Sequence, residues 1–231
     1  LSDNNLDISS IGYDTTIINI PSFSNSVKKE VLLTRKPILL SEVSISAIEK
    51  KSCPEMWGAT KKHSRGNVFF THGCEIAIFI PNTSNDTGII SNLRFFINNE
   101  GYPSTPFRAK LYRVNPKDNS PGELLIEQDF ILAATKGNSW VEMSITAFNI
   151  IIPKEGFFVS MEWLPDSQNH PFTIDRKNSD HDIKYEGQVL GLTAEISSNV
   201  TWIRNFLGAW HNFGDQKINP MIGADVLINC K

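Results

Sequence analysis

From residue 88 to residue 164 the chain is cut into short runs of β-branched and aromatic residues, each bounded by Gly, Pro, Asn or Asp. No helical period runs through them, so strands and turns are the expected elements. The runs are GIISNLRFFINN, PFRAKLYRVN, ELLIEQDFIL, NSWVEMSI, FNIIIP and GFFVSMEWL. A strand with one buried face places alternate side chains on that face. Leu93, Phe95 and Ile97 therefore share a face away from Arg94, and Phe107, Ala109 and Leu111 one away from Arg108 and Lys110. Val141, Met143 and Ile145 stand opposite Trp140, Glu142 and Ser144, while Phe157, Val159, Met161 and Trp163 line up together. The run 118–122 (DNSPG) is a strong turn signal. Such spacing predicts an all-β chain, an antiparallel β-sandwich in which two sheets bury one face each.

The same pattern extends both ways. NVFF and CEIAIFI precede the central run. HPFTIDR, VLGLTAEIS, TWIRNFLGAWHNF and NPMIGADVLI follow it, with Ile222, Ala224 and Val226 alternating against Met221, Gly223 and Asp225. Residues 67–231 are thus expected to form a jelly-roll-like sandwich. Residues 48–66 are polar and turn-rich and read as a linker, with a short helix at 48–51 and Trp57 packed back on a module. Residues 1–47 hold three or four strands, too few for a core of their own. The full 231 residues, 40% of them hydrophobic, can bury a sizeable core without a staple. Net charge is -3 and no basic stripe occurs, which argues against nucleic acid as a partner. Lys61, Lys62, His63 and Arg65 read as a solvated loop. The three cysteines, Cys53, Cys74 and Cys230, are too few for a disulfide framework and lack zinc-site spacing. They leave two readings open: a single bridge, with Cys74–Cys230 preferred, or three unpaired thiols. No window reaches the roughly 18 apolar residues of a membrane-spanning helix. With Leu1 first and no signal-peptide pattern, the chain is expected to be a mature or truncated piece.

Ser10-Ile11-Gly12-Tyr13, Leu32-Leu33 and Leu40-Ser41-Glu42-Val43 carry a resemblance. The first 47 residues resemble the C-terminal half of the carboxypeptidase-regulatory-like module, a small transthyretin-like β-sandwich of Gram-negative envelope proteins. Its glycine-rich front half is absent. The pattern of residues 67–228 is similar to a jelly-roll domain of unassigned activity that follows this module in surface proteins. That shape is in turn similar to galactose-binding-like and other carbohydrate-binding modules, which is analogy of fold only. The resemblance implies a secreted or envelope location, at the periplasm or outer-membrane surface, and a module without peptidase chemistry. It also implies an open strand edge in the first module, where a second copy could complete the sheet as a strand-completed homo-oligomer.

No nucleophile elbow, phosphate-binding loop or dinucleotide fingerprint occurs, and no cofactor is implied. His72 and Glu75 form an H-x-x-E pair of the kind that binds zinc with a distant histidine, here His181 or His211. The absence of a βαβ pattern makes that match fortuitous. Asp175, Asp180, His181 and Asp182 form an acidic loop that could hold Ca²⁺, although Lys177 and Lys184 beside them favour a solvated loop. Glu142, Glu162, Glu127 and Glu195 are carboxylates read as exposed strand charges rather than a hydrolytic pair. Trp163 and Trp202 are assigned to the core. Trp210, between Gly208 and Gly214, is the candidate aromatic platform, with Arg204, Asn205, His211 and Asn212 as hydrogen-bonding neighbours. The expected function is non-catalytic binding of a glycan or an envelope protein. The alternatives are a docking unit of an envelope assembly with no small ligand and, less favoured, a metal-dependent or glycoside hydrolase.

Overall fold

The computed structural model describes residues 5–8, 16–19, 30–34, 52–61, 63–164, 171–174, 183–196, 200–205, 208–214 and 217–230. Contacts divide the chain into two units, Leu1–Glu49 and Lys50–Lys231. In the first, β1 (Asn5–Ile8) and β2 (Thr16–Asn19) pair antiparallel, with Asn5 opposite Asn19 and Ile8 opposite Thr16. The helix expected at 48–51 and the acidic loop at 175–182 lie outside the described residues.

The second unit is an all-β sandwich of two antiparallel sheets. Its strands are β3 (Ser52–Gly58), β4 (Asn67–Val68), β5 (Cys74–Ile80), β6 (Gly88–Gly101), β7 (Phe107–Val114), β8 (Pro121–Leu124), β9 (Phe130–Leu132) and β10 (Ser139–Ser144). After a 3-10 turn at Thr146–Phe148 come β11 (Ile150–Ile151), β12 (Phe157–Trp163), β13 (Pro171–Ile174), β14 (Ile183–Glu186), β15 (Gln188–Thr193), β16 (Thr201–Asn205), β17 (His211–Asn212), β18 (Asn219–Pro220) and β19 (Ile222–Asn229). One sheet runs β18-β15-β6-β19-β3, with β10 and β11 on the other edge of β6; the second runs β17-β16-β5-β12-β7-β8, and β13 and β14 pair with each other as a separate two-stranded ribbon. No helix among the described residues is long and apolar enough to cross a membrane, which says nothing of strands.

Every alternation expected for the central run is realised in the core. Leu93, Phe95 and Ile97 of one sheet meet Phe107, Ala109, Leu111, Val159 and Met161 of the other, all fully buried. Phe95 and Phe107 make an edge-to-face contact with ring centroids 5.1 Å apart, a geometry the ring quadrupoles favour. Ser91 is the extra residue of a bulge in β6: Asp225 faces Asn92 while Val226 faces Ile90. The bulge lets both Ile90 and Leu93 point inward. Gly156 opens β12 at φ 96°, where a Cβ would stand 2.3 Å from the Ile80 carbonyl oxygen, so only glycine serves this turn.

Two expectations are corrected here. The stretch read as a linker supplies β3, an edge strand paired along β19 from Ser52–Asn229 to Gly58–Gly223. Its alternate residues Cys53 and Trp57 pack on the core, with Trp57 stacked against Phe157 at 6.4 Å. Pro54 has no N–H to give, which suits the outermost strand of a sheet. Farther on, Glu195 accepts hydrogen bonds from the backbone N–H groups of Thr60 and Lys61, each at 3.0 Å, so this segment is stitched down rather than loose. The second correction concerns the thiols. Cys53, not Cys74, bridges Cys230, across 177 residues. Cys74 is a buried thiol that donates to the Asn205 side-chain Oδ1 at 3.2 Å. Pairing of β3 with β19 sets Cys53 beside the end of β19, where Cys230 follows, and that places it rather than Cys74 within reach.

Non-reducing peptide mapping is expected to recover a Cys53–Cys230 crosslink. Cys53→Ser should lower urea stability by about 3–5 kcal/mol, the scale of loop-closure entropy for a long loop. A crosslink containing Cys74 would refute the pairing.

Candidate binding site

Strand alternation builds the outer face of the β16–β5–β12–β7 sheet as firmly as its core face. Ile76, Ile78 and Ile80 go inward, so Glu75, Ala77 and Phe79 go outward. Register then sets these outer residues in rows. Arg204 faces Glu75, Glu75 faces Glu162, and Glu162 faces Arg108. In the next row Trp202 faces Ala77, Ala77 faces Ser160, and Ser160 faces Lys110. In the third, Phe79 faces Phe158 and Phe158 faces Tyr112.

The first row puts two carboxylates directly opposite each other, an arrangement that costs energy unless cations intervene. They do. Arg204 reaches Glu75 with Nε at 2.9 Å and Nη2 at 2.6 Å. Lys110 Nζ lies 3.4 Å from Glu75 Oε2 and 2.7 Å from Glu162 Oε2, and Arg108 Nη1 donates to Glu162 at 2.9 Å. Tyr112 donates to Glu75 Oε1 at 2.8 Å, and Ser160 donates to the same oxygen. Glu75 is only 2% exposed although it is on the outward face. Trp210 helps cover this cluster: the Arg204 guanidinium lies 4.6 Å from its ring centre and Tyr112 meets it edge-on at 5.8 Å.

These charges set the titration of their neighbours. Burial, and then the Glu75 charge, push the Tyr112 hydroxyl far above the usual phenol range, with Arg204 opposing them. Burial would raise the Glu162 carboxyl. The hydrogen bonds and charges of Lys110 and Arg108 outweigh it and hold that carboxyl below the ordinary glutamate value.

Where the aromatic rows run out, the same face opens into a groove of about 740 Å³. Half-buried Phe79, Val114, Pro153 and Trp202 supply its apolar lining. Exposed Arg113, Asp118, Asn119, Glu155 and Asn212 supply the polar one. Trp202 is held by an edge-to-face contact with Phe158 at 6.4 Å. The turn carrying Asp118 and Asn119 is fixed internally. Asn119 takes a left-handed conformation at φ 59°, and Ser120 donates its N–H and hydroxyl to Asp118 Oδ1 at 3.1 and 2.7 Å. The Ser120 side-chain and then backbone hydrogen bonds hold the Asp118 carboxyl below its usual value.

The residues singled out in sequence divide between these two features. Arg204 and Trp210 belong to the covered charge cluster, and Asn205 to the Cys74 contact. Asn212 lines the groove, and His211 is exposed on β17 opposite Ile203. Glu75 of the H-x-x-E pair is committed to the cations above. Among the described residues no group of three or more His, Cys, Asp or Glu side chains is placed to hold a metal. Glu142 pairs with Arg94 at 3.3 Å on the opposite sheet. Trp163 is in the core, donating Nε1–H to the Gln188 carbonyl at 3.0 Å. Trp202, expected in the core, faces outward instead. The signal was present: Trp202 is two residues from the charged Arg204 and so shares its face. No family model, curated protein or solved structure matches the chain.

Glu75→Ala, which strands buried cations, should cost about 3–5 kcal/mol in chemical denaturation. A carboxyl depressed in the folded state stabilises above its unfolded value, near 4.5 for Glu162, and that contribution is lost as pH falls through the folded value. Glu162→Gln is therefore expected to flatten the fall in unfolding free energy from about pH 5 to about pH 3. An unchanged slope would show that Glu162 does not contribute it.

Proposed function

We propose that this chain is a non-catalytic binding module of a secreted or envelope protein and that its ligand is a glycan seated in the groove beside Trp202. The observation that carries the reading is the groove's division into an aromatic and apolar lining and a ring of hydrogen-bonding groups. A sugar ring has the complementary build, with apolar C–H faces and hydroxyls around its edge. Pockets for small ligands typically span about 300–1,000 Å³ and combine an apolar lining with a few placed polar groups. The volume and lining here are of that kind. The Cys53–Cys230 bridge agrees with an oxidising compartment.

A non-catalytic role is favoured because the opposed carboxylates Glu75 and Glu162 are both neutralised by cations. Glu162, held below its ordinary value, is not poised to act as a raised-pKa acid. Arg204 and Trp210 are not among the groove's lining residues and belong to the scaffold that holds the outer face.

Glycan-array screening followed by calorimetry tests this. Trp202→Ala should weaken binding by at least about tenfold, or about 1.4 kcal/mol, in protein that is still folded at the assay temperature. Trp210→Ala should chiefly lower the melting temperature, because it uncovers the Arg204–Glu75 pair. If no glycan binds, the docking reading without a small ligand takes precedence.

A further inference from the structure

On the opposite sheet, away from the groove, an exposed thioether meets an almost fully buried guanidinium. We infer that Met56 is a site of reversible oxidation by peroxide and that Arg94 captures the sulfoxide formed there. The chain has four methionines. Met161 and Met221 are fully buried, and Met143 is half-buried against the core. Met56 is 57% exposed, so a peroxide in solution reaches its sulfur first. Its Sδ accepts from Arg94 Nη1 at 2.8 Å. Met56 is on the edge strand β3 and Arg94 on β6, with β19 between them. Arg94 faces Gly223, which in turn faces Gly58, so no side chain fills that row between the guanidinium and the edge strand. Arg94 itself is held in place. It is 7% exposed, lies 4.6 Å from the ring centre of Trp140, and pairs with Glu142 at 3.3 Å and Asp225 at 3.5 Å.

A thioether sulfur carries two lone pairs and is a weak acceptor. With Arg94 occupying one of them, the other is left open to attack. That lone pair bonds to one oxygen of hydrogen peroxide and the O–O bond breaks. The departing hydroxide takes the proton from the transferred oxygen and leaves as water. Sulfur loses two electrons, the peroxide gains them, and the side chain becomes a polar, chiral sulfoxide. Rotation about the Cγ–Sδ bond then brings the new oxygen to the guanidinium, where the hydrogen bond is charge-assisted and stronger than the one it replaces. Oxidation therefore exchanges a weak contact between β3 and β6 for a strong one, and the edge strand is kept rather than released. Sulfoxide reductases return the thioether, so the site can cycle.

The test applies hydrogen peroxide to the folded protein and follows each methionine by peptide mass mapping. Met56 should gain oxygen at least about tenfold faster than the other three, which are shielded. Because Arg94 covers one lone pair, one sulfoxide epimer should predominate. The two classes of methionine sulfoxide reductase each accept one epimer, so one class should restore most of the Met56 sulfoxide and the other little. This readout uses the wild-type chain and stands even if a variant folds poorly. In wild-type protein oxidised at Met56 alone, the melting temperature should not fall. In Arg94→Gln the epimer preference should disappear, and the same oxidation should lower the melting temperature by about 2 °C or more, a resolvable shift for a domain of this size. Faster oxidation of another methionine would overturn the site. Equal amounts of the two epimers, or the same thermal response in wild type and Arg94→Gln, would overturn the role of Arg94.

Discussion

A carboxylate withdrawn from water must be surrounded by cations and donors, and Glu75 imposes that requirement on half of one sheet. Its two oxygens are shared among Arg204, Lys110, Tyr112 and Ser160, which come from three different strands. Each partner is delivered by register, since residues facing one another across antiparallel strands stand side by side. The β16–β5–β12–β7 order thus determines which groups can reach Glu75. A shift of one residue in any of these strands would send its charges into the core and its isoleucines or phenylalanines into solvent. The polar cluster therefore penalises misregistration as strongly as the core does.

The aromatic rows next to it extend the same logic toward the groove. Phe158, Tyr112 and Ala77 are buried on what is nominally the outside of the sandwich, with Phe79, Trp202 and Trp210 packed on them. This small second core gives the groove a rigid back. Its lining also includes a turn whose hydrogen bonds close on themselves through Asn115, Asp118 and Ser120. Both parts of the lining are thus held by contacts within the fold.

The sandwich was legible from the sequence because its code is local. Two-residue alternation in the runs around Phe95, Phe107, Val141 and Val159 fixes which side chains go inward, and the structure agrees at each. What was not legible depends on pairing between distant segments. Ser52–Gly58 carries Pro54 and Glu55 and looks like a connection until β19 is placed beside it. The partner of Cys230 was misread with it. Trp210 was legible as an aromatic on a loop, but the Arg204 and Tyr112 contacts that occupy its ring are not written in neighbouring residues. The groove was the least legible feature. Its lining comes from Phe79, the 113–119 turn, Pro153, Glu155, Trp202 and Asn212, which only the folded sheet brings together.

The bridge between β3 and the residue after β19 also governs how the sandwich carries tension. A pull applied to the chain outside Cys53 and Cys230 passes from one sulfur to the other through a covalent link. The strands enclosed between them, and the groove they support, lie off that line of force. The groove-bearing face can therefore stay folded under a load that would unzip an unbridged sheet from its edge strand inward.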